Sequence, residues 1–405
     1  MGNPSHPVII VVNAGSSSIK LSIFSVGDDE PPRLHTHGQL EDIGGHQPKM
    51  KLESADGELL LDEHFGADEV PDHGAAYAKL REAVKERLEG FSPVAVGHRV
   101  VHGGTRFDAP VVIDASVKRE IESLTVLAPL HQPHALAGIE AVERIAPDVL
   151  QVAGFDTSFH FHRDPLSQLT GLPYEYFEHG IRRFGFHGLS YEYIAKALVE
   201  EAPALAERRL VVAHLGNGAS LCALHRGKSV DTTMSLTPLD GLPMGTRSGS
   251  LDPGILLYLL GRGMPLDELR RLLYYESGLK GLSGISNDMQ ELLESDEPRA
   301  RLAVDFFVAR IAEGCARMAV ALGGLEGLVF TGGIGEHAAQ IRARVCALLA
   351  PLFGVELDPA ANGAERPRLI SSTASRFEVR VVPTDEEGML AEHVWRLWRE
   401  RQSEH

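Results

Sequence analysis

The sequence is poor in cysteine: Cys222, Cys315 and Cys346 stand far apart in 405 residues, with no CxxC pair. That spacing excludes a disulfide framework and a structural zinc site, and predicts buried thiols in a reducing compartment. Basic residues are in deficit, 39 Lys and Arg against 56 Asp and Glu, for a formal charge of -17. No basic stripe offsets this, which excludes nucleic acid as a partner. No apolar run reaches membrane-spanning length, and Met1–Pro7 lacks the basic start and apolar stretch of a secretory signal. The expectation is a cytoplasmic chain with no membrane partner. Also missing are a GxxxxGKS or GxxxxGKT phosphate loop and an HExxH zinc motif.

What is present is the composition of a folded protein, 43% hydrophobic and 23% charged. The length exceeds what one core usually supports, so two domains are expected. Val8–Val12 is a β-branched run suited to a buried strand, and Ile19, Leu21 and Ile23 share one face at period two. With the small-residue turn Asn13–Ser18 between them, they read as a hairpin. A second hairpin of the same make covers 210–224, with Leu215-Gly216-Asn217-Gly218 as its turn, which points to a duplicated core.

Between the hairpins, helices are expected at Ala75–Glu89, Ser116–Leu124 and His134–Ile145, and strands at Val94–Val100 and Val149–Gly154. The later region reads as helices at Leu266–Glu276, Asn287–Leu293 and Pro298–Leu322, the last with Leu302, Phe306, Ala309 and Ala316 as part of its apolar stripe. Leu328–Thr331 is strand-like and runs through Gly332-Gly333-Ile334-Gly335 into a helix from Glu336, a geometry suited to approaching phosphate. A strand at Glu378–Val382 and a helix at Glu386–Arg399 close an alternating α/β chain.

Phosphoryl chemistry needs donors around phosphate oxygens, carboxylates for a metal, and cations where charge develops. Asn13, Ser16, Ser18 and Lys20 offer the first, though an ordinary Asn/Gly/Ser turn reads the same way. Asp156 follows an apolar strand, and Glu386 and Glu387 begin a helix; each is equally readable as a solvated or capping acid. Arg99 sits inside an apolar strand and Arg247 in the loop Gly245-Thr246-Arg247-Ser248-Gly249. A guanidinium at either place could grip a carboxylate or phosphoryl group, or form a plain salt bridge. His187 precedes a helix start and, with His131 and His214, has both structural and phosphoryl-facing readings.

Six strings in order, Val11–Lys20, His98–Gly104, Phe155–Thr157, His214–Gly218, Gly245–Gly249 and Gly332–Glu336, resemble the acetate kinase family, and the likeness extends over about residues 8–391. The resemblance implies a duplicated actin-like α/β fold, that of acetate and sugar kinases, heat-shock proteins and actin, with two domains around a nucleotide cleft. Residues 1–155 with 385–405 would form one domain and 156–384 the other. It implies a homodimer and reversible transfer between ATP and acetate, giving acetyl phosphate and ADP, with Mg²⁺ or Mn²⁺.

By motif match, Asn13, Ser16, Ser18 and Lys20 would belong to the phosphate and metal side, and Asn13, Asp156 and Glu387 to the metal. Arg99 and Arg247 would orient the carboxylate and stabilise the phosphoryl, with His187 beside it and His131 accessory. Asn217, Gly218, Gly332, Gly333, Gly335 and Glu336 would hold the nucleotide, and Val101, Leu130 and Pro238 the acyl methyl. His337 and Asp385 stand where the family usually has Asn, and Ser250 where it has Asp.

The expected mechanism is direct in-line attack by the carboxylate, which needs no general base, with Arg99, Arg247, His187 and Mg²⁺ compensating charge. A propionate or broader short-chain acyl kinase is the neighbouring reading, separated by activity across acids. A non-catalytic, nucleotide-responsive actin-like interaction protein would bind ATP without making acetyl phosphate. A sugar or polyol kinase would need a catalytic aspartate with a hydroxyl-recognition motif, which is not evident.

Overall fold

The computed structural model describes residues 6–15, 17–27, 29–87, 90–129, 131–366 and 368–403. The chain divides into two compact units, Met1–Ser158 with Asp385–His405, and Phe159–Thr384. The first unit runs slightly past the expected break at 155. The reason is local: Arg99 holds Asp156, and the Gly103 N–H donates to Thr157 Oγ1 at 3.0 Å.

The first unit carries strands β1 (His6–Ala14), β2 (Ser18–Ser25), β3 (Arg33–Glu41), β4 (Lys49–Ser54), β5 (Leu59–His64), β6 (Phe91–Val100), β7 (Val111–Val112) and β8 (Leu150–Phe155). They form one sheet in the order β5-β4-β3-β2-β1-β6-β8-β7. β1 and β2 are antiparallel, with Asn13 opposite Lys20, whereas β1, β6 and β8 run parallel. Val8, Ile9, Val11 and Val12 are all buried, because a central parallel strand is covered on both faces. One face packs Val12, Leu21 and Leu52 under Tyr77 and Leu80 of the helix His73–Arg87. Further along the same face Val100 and Phe155 pack with Phe107, Ile121 and Ile139, while the opposite face of β6 meets the helix Glu386–Ser403, where a Cβ on Gly97 would lie 2.7 Å from Val394.

In the second unit, β9 (Arg209–Leu215), β10 (Ala219–His225), β11 (Lys228–Thr232), β12 (Gly327–Thr331) and β13 (Glu378–Val381) lie in the order β11-β10-β9-β12-β13. β9 and β10 form the antiparallel hairpin, and β9, β12 and β13 are parallel. This repeats the path β3-β2-β1-β6-β8 of the first unit, so the fold is the duplicated actin-like α/β architecture. In each unit three antiparallel strands are followed by two that return parallel. The ends of those parallel strands are where ligands bind in open α/β sheets.

Two expectations need correction. In the helix Pro298–Leu322, Leu302 and Phe306 are exposed, at 60% and 38%. The buried stripe is Ala300, Ala303, Val304, Phe307, Val308, Ile311, Ala312 and Cys315, a fuller i, i+3, i+4 series one residue out of phase. The glycine string is no loop before a helix at Glu336: Gly332–His337 is itself helical, and a separate helix, Ala339–Phe353, follows. Among the described residues no helix is long and apolar enough to cross a membrane.

Candidate active site

Within the first unit the candidate residues gather at the carboxyl ends of β1, β6 and β8. Asn13 is the penultimate residue of β1, and the turn after it closes with Gly15 N–H donating to the Ser18 carbonyl at 2.8 Å. Arg99 near the end of β6 grips Asp156, just past β8, through Nε–H···Oδ1 and Nη2–H···Oδ2, each 2.9 Å. Its Nη1 reaches Glu386 Oε2 at 2.6 Å. Burial works against the charge on Arg99, but the fields of Asp156 and Glu386 outweigh it and push its pKa above the usual guanidinium value. Glu386 is itself pushed up by burial, against the pull of Arg99.

The second acid brought to Arg99 is Glu386, the neighbour of Glu387, which the resemblance assigns to the metal. The two are adjacent, and the start of the helix Glu386–Ser403 decides which faces the arginine. Asp385 caps that start, Oδ1 accepting from Gly388 N–H at 2.8 Å, a task Asp and Asn perform alike. Glu387 instead lines a pocket of about 400 Å³ together with Lys20, Gln39 and Lys51. Two of the five guanidinium protons of Arg99 are spent on Asp156, and Nη1 is ion-paired with Glu386, so protons on the terminal nitrogens remain for a further acceptor.

The loop after β6 is built by Gln132, which sequence reasoning passed over. Fully buried, it accepts from the His102 N–H at 3.3 Å and donates to the His102 carbonyl at 3.0 Å. Its signal was a polar residue beside Pro133 at the first turn of the helix Gln132–Ile145. His131 is that helix's N-cap residue, and Val101 lies half-buried just past β6. Ser16 and Leu130 lie outside the described residues.

In the second unit the site forms where β9 and β12 end side by side. His187 precedes the helix Gly188–Glu201 with φ 59° and ψ 27°, a left-handed conformation costly for a residue with a Cβ and often found at functional sites. Its ring is held on several sides. Nδ1 lies 2.9 Å from Ser220 Oγ, and the ring stacks on His214 with centroids 4.3 Å apart. Arg247 donates from Nη1 to the carbonyl of buried Pro238 at 2.9 Å. A Cβ placed on Gly218 would lie 3.2 Å from His187 Nε2 and 3.9 Å from Arg247 Nη2. Both polar ends thus face the bare side of Gly218.

The neighbouring turns are set by close packing. Asn217 accepts the Gly245 N–H through its carbonyl at 3.0 Å, and a Cβ on Gly245 would meet Asn217 Oδ1 at 1.9 Å. Gly332, with φ +75°, bonds through its N–H to Glu336 Oε1 at 2.9 Å. Arg342, almost wholly buried, donates from Nη1 to the carbonyls of Gly335 and Glu336 at 2.9 and 2.8 Å, and from Nε to Asn362 Oδ1 at 2.8 Å. Gly333 and His337 are exposed. Ser250 donates to Asp240 Oδ1 at 2.5 Å, so a carboxylate stands beside this serine after all.

The acetokinase family model matches residues 8–392. The chain belongs to this family. It is 48% identical over 396 residues to an acetate kinase of Nitrobacter hamburgensis, covering 98% of this chain and 97% of that protein. It is likewise 48% identical over 391 residues to one from Rhizobium meliloti, covering 96% and 98%. Among solved structures, a propionate kinase from Francisella tularensis superposes with a TM-score of 0.88 at 35% identity, covering 96% of this chain and 99% of that one. An acetate kinase from Porphyromonas gingivalis superposes with a TM-score of 0.83 at 34% identity, covering the same shares. These family members share the architecture of both units described above.

Proposed function

We propose that the chain is an ATP-dependent acetate kinase, moving a phosphoryl group reversibly between ATP and acetate to give acetyl phosphate and ADP. The observation that carries this reading is the convergence of His187 Nε2 and Arg247 Nη2 on Gly218, in a chain alike from end to end to proteins named acetate kinase. Two donors aimed at one point suit the equatorial oxygens of a phosphoryl group in transfer. The free protons of Arg99 suit a carboxylate, which a planar guanidinium takes bidentately. Asn13, Ser16, Ser18 and Lys20 fit the phosphate side, and Asn217, Gly218 and the turn Gly332–Glu336 the nucleotide. Val101, Leu130 and Pro238 are assigned to the acyl group by motif match alone, with His131 accessory.

Magnesium suits the donor set. Asn13, Asp156, Glu386 and Glu387 offer hard oxygens, and Mg²⁺ characteristically takes only one or two carboxylates, completing its shell with phosphate and water. When bound, the ion would neutralise phosphate oxygens during transfer. The acceptor carboxylate is nucleophilic as it stands, so this chain's residues need to orient it and exclude water, with no base to supply.

A broader short-chain acyl kinase is favoured by one observation, the TM-score of 0.88 to a propionate kinase. One added methylene changes discrimination by only about 1–3 kcal/mol, so both acids merit assay. Measuring acyl phosphate as its hydroxamate with acetate, propionate and butyrate tests both readings. No product from any acid would overturn them.

We further propose that the protein works in the cytoplasm as a homodimer. The helix Pro253–Gly261, PGILLYLLG, has no buried residue although nearly all its side chains are apolar. Leu257 and Tyr258 are exposed at 71% and 65%, and Ile255, Leu260 and Leu266 are exposed nearby. A patch of this kind marks an interface, and a two-fold dimer would bury it against itself. Light scattering should give a dimer, and Leu257→Asp a monomer; a monomeric wild type would overturn the assignment.

A further inference from the structure

We propose that Ser220 and Tyr191 are positioning residues that hold His187 as the tautomer protonated on Nε2. The inference rests on the reading of His187 as a donor to the transferring phosphoryl group, and deepens it by naming what fixes the proton.

Ser220 lies in β10, fully buried, and its Oγ stands between two partners: His187 Nδ1 at 2.9 Å and Tyr191 Oη at 2.5 Å. Tyr191, also fully buried, projects from the first turns of the helix that begins just after His187. A phenol is a stronger acid than an aliphatic alcohol, so in a short phenol–alcohol contact the phenol donates and the serine oxygen accepts. Ser220 then turns its own proton to its other neighbour, Nδ1, which must be the acceptor nitrogen. The hydrogen bond at one imidazole nitrogen decides which nitrogen carries the proton. The proton therefore sits on Nε2, the atom facing Gly218 beside Arg247.

The direction matters because a phosphoryl oxygen only accepts. An imidazole with a lone pair at Nε2 would repel it, whereas Nε2–H donates without the ring becoming charged next to Arg247. The stack on His214 fixes the ring plane. His214 Nδ1 is 2.8 Å from Ser190 Oγ, which is 2.8 Å from Thr384 Oγ1, so the supporting ring is anchored by its own hydroxyl pair. No atom is transferred in this arrangement; the relay sets orientation and proton position only.

The test is nitrogen NMR of the full-length protein with labelled histidine, read alongside steady-state kinetics. In the wild type, His187 should show a pyridine-type Nδ1 and a pyrrole-type Nε2. Tyr191→Phe should weaken that bias and lower kcat about threefold, and Ser220→Ala should mix the tautomers and lower kcat about tenfold, the worth of one hydrogen bond. KM for ATP and for acetate should stay within about twofold of wild type in both variants. A purely structural role would leave the nitrogen pattern unmoved. A pyrrole-type Nδ1 in an enzyme that does make acetyl phosphate overturns the relay alone, and this spectrum decides even where Ser220→Ala does not fold. Failure of the wild type to make acetyl phosphate from any acid overturns the functional reading and the relay with it.

Discussion

Arg99 and Asp156 form a two-pronged ion pair, both hydrogen bonds 2.9 Å long, and the aspartate side chain is only 3% exposed. Such a pair contributes little net stability over apolar packing, yet breaking it leaves a charge buried without its partner. Arg99→Ala should therefore destabilise the first unit by about 3–5 kcal/mol, since Asp156 and Glu386 both lose their cation. Glu386→Gln keeps the Asp156 grip and should cost less than half as much. Denaturant melts of the two variants check this, and equal losses would mean that Glu386 carries the pairing.

Arg247 should behave in the opposite way. It is half-buried, and its charge-assisted Nη1 bond to the Pro238 carbonyl is of the kind worth about 1.5–3 kcal/mol, at the low end where solvent reaches it. Its proposed task is a transition-state contact, for which loss of an arginine costs about 10³-fold or more in kcat. Arg247→Ala should thus keep a near-native melting temperature while kcat collapses, and near-wild-type turnover would defeat its role.

The contrast between these arginines explains how much could be read from the chain. Both were visible in the sequence because a charge in an apolar strand and one in a glycine-punctuated loop break the local pattern. Their partners were harder. Glu386 and Glu387 are chemically identical neighbours, and only the phase set by the Asp385 cap turns one toward Arg99. The strands β3, β4 and β5, which extend the sheet beyond the first hairpin, were missed for a related reason: in β3, RLHTHGQLE, just Thr36 and Leu40 are buried, so no alternation shows. The two hairpins themselves stood out because β-branched and small residues fall where strand and turn need them. In the helix Pro298–Leu322, two apolar series one residue apart compete, and the sheet selected the one with more members. Ser220 carried no sequence signal, because a serine in an otherwise apolar strand acquires meaning only from the ring opposite.

Gly332 and Gly333 are adjacent but should answer differently to a methyl group. At Gly332 the backbone has φ +75°, and a Cβ would meet the Leu215 carbonyl oxygen at 2.8 Å. At Gly333 nothing lies within 4 Å. Gly332→Ala should cost about 1–3 kcal/mol through strain at a special backbone conformation. Gly333→Ala should leave stability within about 0.5 kcal/mol but raise KM for ATP, its methyl occupying space proposed for the nucleotide. A calorimetric scan paired with an ATP titration separates the two effects; equal destabilisation by both would refute the assignment.

Acid should weaken the fold before the carboxylates titrate. His98, buried in β6 with Nε2 2.8 Å from Gln151 Oε1, is pushed down by burial to about 4. His160, buried in the second unit, is pushed down by burial and then by Arg163 to about 3. Each is depressed below its unfolded value of 6.5. The unfolded chain therefore binds these protons first as pH falls, and stability rises with pH wherever it binds more of them. Their contribution is complete above the unfolded value and is lost progressively between about 6.5 and the folded values. Melting temperature should thus drop between pH 7 and pH 5, and His98→Gln, which cannot titrate, should show a shallower slope over that interval even where it starts lower. An unchanged slope would mean that the buried imidazole takes up its proton as readily in the folded protein as in the unfolded chain.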